Sequence, residues 1–217
     1  IATWKSFPAI VAGNTFLWKP ATETPMMAYE MAKVFEEAGI PAGVANIVFG
    51  SGSEVGTAMI EHPDVKVISF TGSTETGRSV AERGGRHLKK VSLEMGGKNA
   101  VIVMDDADLG LAVEGILWSA FGTAGQRCTA CSRVIVHKDV KEELESLLLT
   151  AMEQLTIGDG MDETVKIGPV INKKALEKIH NYVQIGKEDG ATLLVGGEIL
   201  ADGNLAKGNY YAPTLFT

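Results

Sequence analysis

The chain has 217 residues, 45% apolar and 22% charged, ordinary for a globular protein with a sizeable core. Its net charge is −7 and no run of Lys and Arg appears, which argues against nucleic acid as a partner. No apolar run is long enough for a membrane span, no signal-like N-terminus is visible, and two cysteines are too few for a disulfide framework; the reading is a reducing, cytoplasmic setting.

Residues 4–11 read as the end of a helix, closed by Gly13-Asn14. Residues 15–18 form a short apolar run, a buried strand that stops at Lys19-Pro20. Thr24-Pro25 opens a helix with apolar residues at Ala28, Met31, Ala32 and Phe35, and Gly39-Ile40-Pro41 ends it. Residues 45–49 are the next strand, after which Gly50, Gly52 and Gly56 open a helix running through Ile60. A third strand at 65–70 leads through a glycine turn into a helix at 73–83, and strand-like runs follow at 88–93 and 100–104. Strands alternating with helices at this interval, with glycine turns after the strands, predict an α/β fold with a parallel, helix-covered sheet.

A second block starts near Lys98, so the expected division is 1–97 and 98–217. Asp108 caps a helix that ends at Phe121, and residues 134–137 form a strand. Val140, Leu144, Leu147, Leu148, Ala151 and Leu155 make the apolar stripe of a helix, and Leu176, Ile179 and Val183 line the next. Residues 192–195 read as a strand, and residues 210–216 as a strand signal broken by Pro213.

Chemistry concentrates in residues 121–133, FGTAGQRCTACSR, which carry both cysteines, Cys128 and Cys131. Gly122, Ala124 and Gly125 allow a tight turn just before Cys128. A thiol on a tight loop between a helix and a strand is well placed as a nucleophile; equally, a free cysteine is often a small buried hydrophobe. Cys128 and Cys131 make a formal C-x-x-C, but the motif runs into a strand rather than opening a helix, and the four histidines lack ligand spacing, so neither a redox dithiol nor a metal site is expected.

Two glycine turns follow strands. Residues 50–56, GSGSEVG, resemble a dinucleotide loop with one residue too many before the last glycine. Residues 70–77, FTGSTETG, put Gly72, the Ser73 hydroxyl and backbone N–H groups at a helix N-terminus, where unpaired donors and the helix dipole favour a pyrophosphate or simply make an ordinary strand-to-helix turn. Glu94, in LEMGGK, is a strand-end carboxylate among apolar residues: a general base if burial raises its pKa, otherwise a surface or salt-bridged glutamate.

Taken together, LWKP with Lys19, FTGST with Ser73, LEMGGK with Glu94 and GQRC with Cys128 occur in the order and approximate spacing of the NAD(P)-dependent aldehyde dehydrogenase superfamily, and the chain resembles it over essentially its whole length. The resemblance implies a Rossmann-like cofactor domain followed by part of an α/β catalytic domain, with NAD or NADP as cofactor, a small aldehyde as substrate and a homo-oligomeric parent enzyme. It implies that Cys128 adds to the aldehyde, passes through a thiohemiacetal and holds a thioester, and that Glu94 activates the hydrolytic water. The Cys128 backbone N–H would supply half of the oxyanion site. Lys19 would hold the adenosine ribose, Gly72 and Ser73 the pyrophosphate, and Gly50 and Gly52 the adenine side, while Cys131 would pack. A free thiol with pKa about 8.5 is roughly one-tenth thiolate near pH 7.5, so local activation is needed.

Three departures accompany it. Many NAD-preferring members carry a ribose-binding glutamate three residues after the lysine, where this chain has Thr22. The family's oxyanion asparagine would precede Ile1, and its EIFGP-like motif would follow Thr217. The chain is therefore expected to be the middle of such an enzyme, without a natural start at Ile1 and without dehydrogenase competence of its own. GTAGQRCT is similar to members that oxidise semialdehydes of amino and keto acids. Cysteine-dependent acyl transfer or hydrolysis, and a nucleotide-binding protein without catalysis, are the rival functions.

Overall fold

The computed structural model describes residues 1–217. It divides into two compact units, Ile1–Gly96 and Gly97–Thr217.

The first unit opens with α1 (Ala2–Val11), which contains Pro8. Ala12 N–H returns to Pro8 O, Asn14 N–H to Ala9 O, and Gly13 takes φ +77, so the predicted Gly-Asn signal does close the helix. Two strand–helix–strand units follow. In the first, β1 (Phe16–Trp18) leads through α2 (Pro25–Glu37) to β2 (Ala45–Ile47), and β1 and β2 pair in parallel with Phe16 opposite Ala45. Phe35, facing inward from α2, receives Phe7 and Phe16 edge-on, at 6.2 and 5.9 Å between centroids.

One turn of π-helix (Gly52–Gly56) and the short α3 (Thr57–Glu61) occupy the place of the single helix predicted there. The second unit of this kind is β3 (Val67–Thr71), α4 (Thr74–Arg86) and β4 (Lys90–Glu94), its strands parallel with Val67 opposite Lys90 and Thr71 opposite Glu94. Helix α4 lies close on its strands where glycines flank buried Val80 on its packed face: a Cβ on Gly77 would meet Met95 Sδ at 2.5 Å, and one on Gly84 would meet Val91 Cγ2 at 2.6 Å. Strand β4 starts two residues later than the apolar run at 88–93 suggests. Leu88 sits in the turn after α4, with φ +53 and 95% exposed.

The second unit begins with β5 (Asn99–Val103), α5 (Leu109–Phe121) and β6 (Cys131–Val136), again a parallel pair around a helix. Asp108 caps α5 as expected, its carboxylate accepting from Leu111 N–H at 3.0 Å. Val103, Val113, Ile116, Leu144 and Leu148 form the core between β5, α5 and α6 (Lys141–Met152). Truncating Leu144, 2% exposed, to alanine carries the usual cost of a core cavity, about 2–5 kcal/mol. Helix α7 (Lys173–Glu188) builds a second cluster, in which Leu176 and Val183 meet Val170 and Tyr211.

The chain closes with antiparallel pairs that the strand pattern did not foretell. β7 (Leu193–Val195) pairs with β10 (Leu215–Phe216), and β8 (Ile199–Leu200) with β9 (Tyr210–Tyr211). The predicted break at Pro213 separates β9 from β10, which belong to different pairs. The parallel ladders, as the alternation of strands and helices predicts, are β1–β2 and β3–β4 in the first unit and β5–β6 in the second, each a two-stranded pair.

Candidate active site

Helix α5 ends where Gly122 turns to ψ 134, and Gly122 packs against Trp118: a Cβ there would meet the indole at 2.7 Å. Thr123, Ala124 and Gly125 then take left-handed φ of +55, +53 and +68 in succession. The conformation costs a non-glycine residue about 1–2 kcal/mol, so two such residues in a row must be held by their surroundings. Thr123 Oγ1 donates to Gly122 O at 2.6 Å, Gln126 N–H returns to Thr123 O at 3.1 Å, and bare Gly125 lies beneath Ala120 O.

The next two side chains anchor the loop. Gln126 Oε1 accepts from Ile171 N–H at 3.0 Å. Arg127 stacks its guanidinium on the Trp118 ring at 4.6 Å, and its Nη2 donates to Trp118 O at 2.8 Å and Ser119 O at 3.2 Å. Those carbonyls belong to the last turn of α5, where Trp118 O also accepts from the Gly122 N–H. Arg127 Nε is buried and makes no hydrogen bond.

Residues 127–130 form a turn closed by Ala130 N–H to Arg127 O at 3.1 Å, and Cys128 occupies its second position with its side chain exposed. From the start of β5, Asn99 Nδ2 donates to Cys128 O at 2.7 Å and to Ala130 O at 3.2 Å. The Cys128 N–H makes no hydrogen bond and remains free for a developing negative charge. Cys131 differs in every respect. It is the first residue of β6, 8% exposed, its N–H donates to Ser119 Oγ at 3.1 Å, and its thiol donates to Arg133 O at 3.2 Å.

In the first unit Glu94 ends β4, and its carbonyl accepts from Gly72 N–H at 3.1 Å. The alternation of the strand turns Val91 and Leu93 inward and Ser92 and Glu94 outward, so of the two placements the sequence left open, buried or at the surface, Glu94 takes the exposed one. Gly72 thus commits its N–H to that carbonyl and is not among the free donors of the turn. A side chain on Gly72 would also collide with Phe70. Ser73 caps α4, accepting from Thr76 N–H at 3.2 Å and meeting Thr76 Oγ1 at 2.9 Å. The first-turn N–H groups of Thr74 and Glu75 are the ones left for an anion.

Lys19 extends from the end of β1, and its Nζ donates to Pro20 O at 2.7 Å and to Gly50 O at 3.5 Å. Thr22 and Gly50 line an open cleft of about 260 Å³ with Pro20, Ala21, Pro25, Phe49 and Ser51. Gly50 has φ +150 and a side chain there would strike Val55, so glycine is required at position 50 for this path. Ser51 caps the π-turn by accepting from Glu54 N–H at 3.1 Å, and Gly52 begins that turn with open space around it. Lys19, Thr22 and Gly50 thus share one lip of the first unit, and Gly72 and Ser73 lie at the start of α4. The roles of Asn99, Arg127 and Ile171 near the cysteine escaped the sequence reading; only the arginine, adjacent to Cys128, lay within the stretch it singled out.

The family model of the aldehyde dehydrogenase family matches residues 1–217, and the chain belongs to that family. It is 45% identical over 216 residues to the alpha-ketoglutaric semialdehyde dehydrogenase of Bacillus subtilis (strain 168), covering 100% of this chain and 44% of that protein. It is 46% identical over 214 residues to the 1-pyrroline-5-carboxylate dehydrogenase of Geobacillus thermodenitrificans, covering 96% of this chain and 41% of that one. The chain therefore spans less than half the length of these relatives. Among solved structures, betaine aldehyde dehydrogenase from Staphylococcus aureus in complex with NAD+ superposes with a TM-score of 0.96 at 37% identity, over 99% of this chain and 43% of that one. An E. coli NADP dependent enzyme gives a TM-score of 0.94 at 44% identity, over 99% and 44%. No helix is long and apolar enough to cross a membrane.

Proposed function

We propose that this chain carries the nucleophile and much of the cofactor site of an NAD(P)-dependent enzyme that oxidises a small aldehyde to its carboxylic acid. The observation that carries the reading is Cys128: an exposed thiol on a turn fixed from both sides, with an unbonded backbone N–H beside it, in a chain of the aldehyde dehydrogenase family. The Cys128 thiolate attacks the carbonyl carbon to form a thiohemiacetal, and the Cys128 N–H donates to the oxygen as charge develops. A bound nicotinamide supplies the acceptor for the hydride whose loss leaves the thioester. Glu94 takes a proton from the water that cleaves that thioester and frees the acid. Its exposure suits a residue that exchanges protons with solvent between turnovers.

The first unit fits an adenine dinucleotide. Lys19 and Thr22 would meet the adenosine ribose, Gly50 and Gly52 would line the adenine side, and Ser73 with the α4 N-terminus would face the pyrophosphate, which bare Gly72 lets approach. In this reading residues 1–97 are part of a dinucleotide-binding domain and residues 98–217 part of a catalytic domain. The relatives named for semialdehyde and pyrroline-carboxylate oxidation favour a semialdehyde substrate, in a soluble, cytoplasmic homo-oligomer. The test is aldehyde-dependent formation of NAD(P)H by the protein expressed from its whole reading frame, with and without coenzyme A. The expected result is reduction without coenzyme A; reduction that requires it would mean that a thiol and not activated water takes the acyl group.

A further inference from the structure

We propose that Asn99 is the positioning residue of Cys128, holding the cysteine turn so that the Cys128 N–H meets a developing oxyanion. The inference rests on Cys128 being the nucleophile. Asn99 is the first residue of β5, 29 positions before the cysteine, and its amide faces two carbonyl oxygens of one turn, Cys128 O at 2.7 Å and Ala130 O at 3.2 Å. Two acceptors require the NH2 end of the amide to point at them, since the carbonyl end would repel both. The two donors of one planar group fix both the direction of the Cys128 carbonyl and its separation from that of Ala130.

The turn's own closure does not achieve this. The Ala130 N–H to Arg127 O bond ties the ends of the turn but leaves the central peptides free to rotate. Arg127 ties its side chain back to α5, and Gln126 bonds outward to Ile171; neither touches the peptide groups that follow Cys128. Strand β5 pairs with β6 at this point, Asn99 opposite Cys131, so the amide is delivered from a rigid strand end. The register shifts between Asn99 and Ala100, which marks the place where the ladder gives way to the clamp.

The test separates positioned acyl transfer from simple thiol reactivity. With p-nitrophenyl acetate, the Cys128 sulfur forms a bond to the acetyl carbon, the C–O bond to p-nitrophenolate breaks, and the thiol proton goes to solvent; the intermediate is an oxyanion. Iodoacetamide alkylates the same sulfur by displacing iodide and forms no oxyanion. Both rates are measured on the protein expressed from its whole reading frame, with Cys128 followed by peptide mass spectrometry. Asn99→Ala removes the clamp, and Asn99→Asp keeps its shape while removing both donors. Each should slow acylation at least about tenfold while alkylation stays within about threefold, because displacement of roughly an ångström costs up to about a hundredfold in an oriented reaction. An unchanged acylation rate, or acylation and alkylation falling together, overturns the proposal. Cys128→Ala is the separate control. If its acylation persists at Cys131, the nucleophile assignment itself fails, an outcome distinct from any result at Asn99.

Discussion

Replacing Gly125 with alanine perturbs the cysteine turn at the point where its backbone has least room. Gly125 has φ +68, and a Cβ there would sit 2.8 Å from Ala120 O. The conformation alone costs an alanine about 1–2 kcal/mol. The carbonyl is backbone in the last turn of α5 and cannot swing aside as a side chain would, which adds the usual overpacking cost of about 1–3 kcal/mol. The sum, about 2–5 kcal/mol, is a large fraction of the stability of a typical domain. Gly115→Ala in the same helix is the matched control. Gly115 is exposed and helical, with nothing within 4 Å of its Cβ position, so it should stabilise by about 0.5–1 kcal/mol. Urea titration followed by Trp118, with Trp4 and Trp18 changed to phenylalanine, reports on the second unit where both glycines lie. A loss below about 1 kcal/mol for Gly125→Ala, or the same sign for both variants, would refute the reasoning.

Other outcomes follow from the same geometry. Cys128→Ala should abolish aldehyde-dependent NAD(P)H formation while Cys131→Ala, a buried strand residue, leaves most of it; equal losses in an assay of both would contradict the assignment. Thr22 lacks the carboxylate that would repel a 2′-phosphate, and Lys19 lies on the same lip, so kcat/KM should be comparable for NADP and NAD. A preference for NAD above about a hundredfold would count against that role for Thr22. Tyr211 is buried, and burial first, then the charge of Glu198, raise its pKa above the usual tyrosine value. The folded state therefore holds the phenol proton more tightly than the unfolded chain. Stability from this group is complete below about pH 10 and falls as pH rises beyond it, and Tyr211→Phe should flatten that slope in thermal melts across the alkaline range. An unchanged slope would mean that another group sets it.

The parts of this fold written in local pattern were legible. Asp108 before an apolar repeat and Gly122 after it bound α5 at Leu109–Phe121, as read. The glycine turns after β2 and β3 did mark strand-to-helix junctions, since Gly50 and Gly72 stand where a side chain would collide. What escaped depended on pairing across distance. β8 and β9 are two residues each and exist only through their partner, and β6 reaches back to Cys131 because β5 is there to pair with it. At the candidate site the exposed cysteine was visible in GQRC, and the tight turn in its glycines. The left-handed Thr123 and Ala124 were not, because such residues adopt that conformation only when tertiary contacts hold them. Asn99 and Ile171 reach the cysteine turn from 29 and, through Gln126, 45 positions away, and no spacing rule connects them.

The central claim is that Cys128 carries the acyl group and Glu94 is needed to release it. In the protein expressed from its whole reading frame, Glu94→Gln mixed with excess aldehyde and NAD(P) should form NAD(P)H in a single burst and then stall. Peptide mass spectrometry of the stalled protein should find one acyl mass, on Cys128. Continued turnover, or an acyl group on Cys131 with Cys128 unmodified, would contradict the account.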